Sequence, residues 1–267
     1  MIGFVLLLVA VGCVTGVTTV LFGFGGGFVT VPAVYAAVQA TSGTDAMHTA
    51  VATSAAIMVV NASSATIASA RFGLLRREYL WPITGFIAIG AALGAVAASW
   101  APETLLRGLF AAYIATAIID CVARKGFLSN SAAPGAKGSL GRGMSTLGGI
   151  GIGAAASFLG IGGSVITVPL MRRKGIRMAD AAALANPLSL PIAVVGTAVY
   201  LLASPAAIHP GQIGYVSLTA MAALLAGSVP TIALARRVLA GWKIPDRAHA
   251  VAYLTLLGVI LIATVAG

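Results

Sequence analysis

Eight apolar runs leave this chain few folds to choose from. They fall at about 1–40, 46–70, 79–99, 103–123, 144–171, 178–203, 212–235 and 247–266. A helix needs about 20 such residues to cross a bilayer. No alternating strand pattern is sustained, so every run reads as a helix. Only 8% of the residues are charged and 59% are hydrophobic. A soluble domain of this size would carry about 25% charged residues. The composition therefore demands a membrane protein. The first run lacks a basic n-region and an A-x-A cleavage pattern, so it reads as a retained helix and not as a signal peptide. Cys13 and Cys121 both lie in apolar segments and read as small hydrophobes.

Two of the runs are interrupted by glycine. Residues 22–33 read FGFGGGFVTVPA, and 158–169 read FLGIGGSVITVP. Phe22-Gly23-Phe24-Gly25-Gly26 matches Leu159-Gly160-Ile161-Gly162-Gly163 at an offset of 137. The same offset carries Thr30-Val31-Pro32 onto Thr167-Val168-Pro169. Asp45 and Ser54 align with Asp180 and Ser189 at an offset of 135. The chain reads as an internal duplication. Two Gly-interrupted apolar segments in corresponding places are the sequence mark of a transporter site. Gly90 and Gly94, by contrast, read as packing glycines.

Charge fixes how the runs are threaded. If each run crosses once, the 16 bases split seven against nine, and the positive-inside rule is not obeyed. If both glycine-broken runs turn back as hairpins, 15 bases face one side and Arg107 alone faces the other. Forty helical residues would span roughly 60 Å, about twice the hydrocarbon core, which agrees for the first run. The second run is shorter, so its limbs should be partial.

The fold expected is an all-α polytopic membrane protein made of two inverted-topology repeats. Each repeat is a glycine-broken helical hairpin plus three transmembrane helices. The first repeat takes 1–123, a cytoplasmic linker 124–142, and the second, inverted repeat 143–267. Three crossings per repeat place both termini outside the cytoplasm. The expected location is the cell (cytoplasmic) membrane.

Irregular backbone at membrane depth survives only inside protein or along a wet cavity. Just past each glycine run a new half-helix should start, near Phe28 and Ser164. Its first amides lack intrahelical partners and carry partial positive charge. Two such N-termini, brought together, make an anion site. The candidate substrate-binding residues are Gly25, Gly26, Gly27, Phe28 and Thr30 from the first break, and Gly162, Gly163, Ser164 and Thr167 from the second. Thr53, Ser54 and Asn186 join them as lining groups on the following helices. Asn186-Pro187 reads as a further local helix break. Asn61 ranks lower. His48, three residues after Asp45, reads as an interfacial pair or cap, with a proton relay as the sharper alternative. No nucleophile–base pair, metal-ligand cluster or cofactor motif is present, and neither glycine run contains the G-K-[ST] of a phosphate loop.

GFGGGFVTVPAV, its echo FLGIGGSVITVPLM and the small-residue stretch AVATSA at 50–55 resemble the TauE/SafE sulfite exporter family, also described as toluenesulfonate uptake permeases. The resemblance covers essentially the whole chain. It implies a secondary transporter of small sulfur-containing anions such as sulfite, thiosulfate or organosulfonates. It fixes neither one substrate nor one direction. The partners expected are a small anionic substrate and the lipid bilayer, not nucleic acid. Proton or ion coupling and homo-oligomerisation stay open, as do an anion channel and a transporter of an unrelated small anion. An enzyme is not expected.

Overall fold

The computed structural model describes residues 2–41, 45–71, 73, 75, 80–123, 127, 143–173, 175–205, 210–239 and 244–266. The expected linker, apart from Phe127, lies outside the described residues. The protein is helical almost throughout. The first run breaks as its glycines dictate, into α1 (Ile2–Phe22) and α2 (Gly27–Thr41). The helices α3 (Ala46–Arg71), α4 (Ile83–Trp100) and α5 (Glu103–Ala123) follow. A π-helical turn, Met144–Gly148, leads into α6 (Gly149–Phe158), and the second glycine break separates it from α7 (Ser164–Arg173). Then come α8 (Met178–Leu202), α9 (Leu218–Leu239) and α10 (Asp246–Ala266). Among the described residues seven helices are long and apolar enough to cross a membrane: α1, α3, α4, α5, α8, α9 and α10. The limbs α6 and α7 have 10 residues each, about 15 Å of helix, so the second hairpin is partial.

Two expectations need correction. Asn186-Pro187 does not break its helix: α8 runs unbroken through Pro187 and Pro191. A proline removes one backbone bond, and in a packed membrane helix neighbouring side chains and helices compensate. The Asn186 amide and the Ser189 hydroxyl turn back onto their own helix, at the Ala182 (3.4 Å) and Ala185 (3.0 Å) carbonyls, and the compensation comes from packing on α3 and α4. The run beginning at 212 is not wholly helical either. Two-residue strands β1 (Gln212–Ile213) and β2 (Val216–Ser217) pair antiparallel before α9 begins. Gly214, left-handed, makes the turn, and left-handed Gly211 leads into β1; six residues are too few to announce this hairpin by alternation.

The centre belongs to α3 and α8. Of their apolar windows 67% and 61% are buried, against 22% in α5 and 28% in α10, which face outward. The limb α1 packs most extensively on α9 of the other half, and α6 on α4; α3 packs on α8. This scheme maps onto itself when the halves are exchanged. Glycine explains how close it is. A Cβ on Gly12 or Gly16 would lie 2.3 and 2.7 Å from the Leu224 and Ser228 carbonyl oxygens. The counterparts 137 residues on, Gly149 and Gly153, stand over the carbonyls of Ile83 (3.3 Å) and Ile87 (2.1 Å). Gly90 and Gly94 press on Ile150 and Ala154 in the same way, the packing role expected of them.

Acidic residues finish the frame. Glu103 opens α5 and accepts the Met47 amide at the start of α3 (2.6 Å). Asp246 opens α10 and accepts the Met178 amide at the start of α8 (2.8 Å). A carboxylate on free helix-start amides answers both their missing bonds and the helix dipole. Asp246 also holds the buried Arg172 guanidinium at 2.5 Å. His48 lies 3.9 Å from Asp45 and donates from Nε2 to the Ala101 carbonyl (3.0 Å), the boundary role its position suggested.

Candidate functional site

The two glycine breaks meet inside the protein. Gly23, Gly25 and Gly26 take left-handed backbone, with φ of 72°, 62° and 95°, and Gly160 does so at 66°. Side chains are strained there, so these positions need glycine for the turn itself. Others need it for proximity. A Cβ on Gly27 would lie 2.9 Å from the Gly160 carbonyl oxygen and 3.3 Å from the Gly162 amide nitrogen. One on Gly162 would lie 2.9 Å from the Phe24 carbonyl oxygen and 2.8 Å from the Ser189 hydroxyl. Met58 fits its thioether between Gly25 and Gly162.

Each break ends by starting a helix in the same manner. The Gly26 carbonyl accepts the Thr30 amide (3.3 Å) and the Gly163 carbonyl accepts the Thr167 amide (2.9 Å). The residues before these bonds, Gly27 to Val29 and Ser164 to Val165, form first turns whose amides precede the helical ladder. The new helices start at Gly27 and Ser164, within a residue of the positions expected.

All twelve candidate residues are buried. Their polar atoms are used differently. The Ser54 hydroxyl lies 2.9 Å from the Gly27 carbonyl and 2.8 Å from the Gly160 carbonyl, with one proton for the pair. It accepts the Thr30 hydroxyl at 2.8 Å. Ser54 therefore ties both breaks together and occupies acceptors that would repel an anion. On the other side of the junction, the hydroxyls of Ser164 and Thr167 are fully buried with no hydrogen-bond partner. Asn186 uses its amide group on Ala182, and its Oδ1 has no partner. Thr53 turns to the β-hairpin, where its hydroxyl oxygen accepts the Ser217 amide (2.9 Å). Phe28 stacks on Phe24 with ring centres 5.1 Å apart, and Phe24 in turn stacks on Tyr253 of α10, closing the first break on that side.

Sequence reasoning ranked one residue too low. Asn61 on α3 is fully buried against Gly26, and accepts the Ser228 hydroxyl at 2.9 Å. Its spacing held the signal: Ser54, Met58 and Asn61 stand at i, i+4 and i+7, one face of one helix, and all three touch a glycine break.

An idle hydroxyl in a dry interior costs free energy, about 1–3 kcal/mol. Two of them in the first turns of one half-helix, whose leading amides precede the helical ladder, make a set of groups able to donate to a ligand. What such a set can do is hold a small anion, as helix N-termini do.

Residues 8–264 match the family model described as Sulfite exporter TauE/SafE. No curated protein and no solved structure matches the chain. The chain belongs to the TauE/SafE sulfite exporter family, and with it to the multi-pass integral membrane proteins of anion-exporter type.

Proposed function

From that family membership we propose that the protein is a secondary transporter of small sulfur-containing anions, of the kind sulfite, thiosulfate and organosulfonates represent. The observation that carries this reading is the pair of idle, buried hydroxyls of Ser164 and Thr167 where the two glycine breaks meet. Among the described residues no Lys or Arg bonds at this junction, so the anion is neutralised by dipoles and hydroxyls. Binding without a fixed countercharge is weak and reversible, which suits passage. The two halves work as inverted repeats in the cell membrane, with both termini outside the cytoplasm. Rocking of one part against the other exposes the junction to each side in turn.

Two measurements test this. Purified protein in liposomes should give saturable flux of sulfite or thiosulfate, and the flux should be lost in Gly25→Leu and Gly162→Leu. Absence of flux for every sulfur oxyanion and organosulfonate tried, in folded wild-type protein, would end the substrate reading. Cysteines introduced near Thr41 and Lys174 should label from opposite faces of the membrane; labelling from one face would end the inverted-repeat reading.

A further inference from the structure

The surroundings of the first break differ from those of the second in a way that the junction does not explain. Asn61 Nδ2 and Thr15 Oγ1 are fully buried polar atoms without partners. Both side chains press on Gly26: a Cβ there would lie 2.7 Å from Asn61 Nδ2 and 2.7 Å from Thr15 Cγ2. Gly26 itself is left-handed, so its backbone is bare on that side. Asn61 Oδ1 is occupied by Ser228 of α9, which turns the amide nitrogen, a donor, toward Gly26.

The polar groups continue in one direction. Arg236 stands two turns beyond Ser228 on α9. It donates from Nη2 to the Ala65 carbonyl (2.8 Å), one turn beyond Asn61 on α3, and its buried Nε is unpartnered. With it, Arg71 and Arg237 make up the basic ends of α3 and α9. The stretch from Gly26 to Arg236 thus offers free donors along a seam of α1, α3 and α9.

The corresponding seam of the other half carries different residues at these three places. At the offset of 135 that pairs Ser54 with Ser189, Asn61 corresponds to Gly196. At the offset of 137, Thr15 corresponds to Ile152. Ser228, under Gly16, corresponds to Ile87, under Gly153. Three polar residues stand against a glycine and two isoleucines. The counterpart keeps one idle hydroxyl, Ser157 Oγ against Gly196, but no amide, and an idle buried amide costs free energy that packing does not return.

We infer that Asn61, Thr15 and the Gly26 backbone form a second anion subsite, next to the glycine junction and on the Arg236 side of it. Its ligand is a small oxyanion, since Asn61 Nδ2 and Arg236 Nε can only donate and the Thr15 hydroxyl can donate as well. The inference rests on the transport reading above. The subsite receives the anion between the junction and the basic ends of α3 and α9, so its loss raises the KM of transport.

The test uses full-length protein in liposomes, with sulfite and thiosulfate as probes, and thermal unfolding in detergent alongside. Thr15→Val removes an idle hydroxyl at constant shape. Asn61→Asp keeps the acceptor for Ser228 and replaces the free donor. Each should raise KM about tenfold or more, and Thr15→Ser should transport as wild type does. Thr15→Val should unfold at an unchanged or higher temperature, which separates a lost ligand contact from a damaged fold. Wild-type KM in both Thr15→Val and Asn61→Asp, with Ser164→Ala impaired, would overturn the subsite and leave the junction standing. A wild-type protein that moves neither probe would overturn the transport reading and this inference together.

Discussion

The two glycine breaks carry nearly the same letters and use them for different ends. In the first, three glycines are left-handed, and the hydroxyls of Thr30 and Ser54 are spent on each other and on the carbonyls of both breaks. In the second, only Gly160 is left-handed, and the hydroxyls of Ser164 and Thr167 are idle. Where the first break has Gly27, the second has Ser164. Gly27 must lack a side chain because the other break lies against it; Ser164 has room for one. The two loops match in sequence at an offset of 137. Contact between them forced a division, in which one holds the junction and the other keeps its donors free.

The largest effects should fall where the breaks are still alike. Gly23→Ala and Gly160→Ala each put a Cβ on left-handed backbone, 2.3 Å from the Ala182 carbonyl and 2.6 Å from the Val51 Cα. Strain and overlap together cost on the order of 3 kcal/mol or more in either half. Both variants should fail to give monodisperse protein in detergent. If one of them behaved as wild type, the breaks would differ more deeply than their hydroxyls suggest.

The next pair should split. Gly26→Ala meets φ of 95° and two side chains at 2.7 Å, so about 2–4 kcal/mol is expected. Gly163→Ala meets ordinary backbone and the mobile tips of Ile192 (3.0 Å) and Ile152 (3.3 Å), so the cost is about 1 kcal/mol or less. Thermal unfolding of the two variants side by side measures the difference. Equal losses would erase the distinction between a glycine kept for its φ and one kept for its size.

Serines 54 and 189 occupy equivalent places and should also part. Ser54→Ala removes the hydroxyl that holds the Gly27 and Gly160 carbonyls and the Thr30 hydroxyl, at a cost of about 1–3 kcal/mol. Ser189→Ala removes a bond to the carbonyl one turn back in its own helix, whose loss costs about 0.5 kcal/mol or less. The urea or heat midpoint of each variant reads this directly.

What could be read from the chain beforehand follows the range of the interaction. Glycine and proline act on their own residues, so the breaks at Gly23 and Gly160 and the starts of α2 and α7 were visible in twelve letters. The bias of bases, 15 against one, is the argument for the hairpin threading, because it sums over all loops. The same local logic misled at Asn186-Pro187, where packing of α8 against α3 and α4 keeps a proline inside a helix. The hydroxyls were beyond local reading. Thr30 and Thr167 sit in one repeated motif, yet Thr30 is satisfied by Ser54, 24 residues away, which in turn reaches Gly160, 106 residues away. Asn61 owes its orientation to Ser228, 167 residues distant. Spacing within a helix can put such residues on a face, and only the assembled core decides which of them keeps a free donor.

The smallest change in stability should be the most informative. Thr30→Val and Thr167→Val delete one hydroxyl each at equivalent positions of the repeat. The first breaks the bond to Ser54 and should destabilise by about 1 kcal/mol. The second removes a buried group that bonds nothing, so unfolding should be unchanged or shift upward by up to about 1 kcal/mol. Transport should rank them in the reverse order. Thr167→Val loses a donor to the anion, and a hydrogen bond to a charged group contributes about 1.5–3 kcal/mol, or tenfold and more in KM. Thr30→Val loses a hydroxyl already engaged and should change KM less. Stability and affinity moving oppositely in a single substitution is what a group held idle for a ligand produces. If Thr167→Val instead lost stability and kept its KM, the second break would be a packing element like the first, and the donors of the junction would have to come from backbone amides alone.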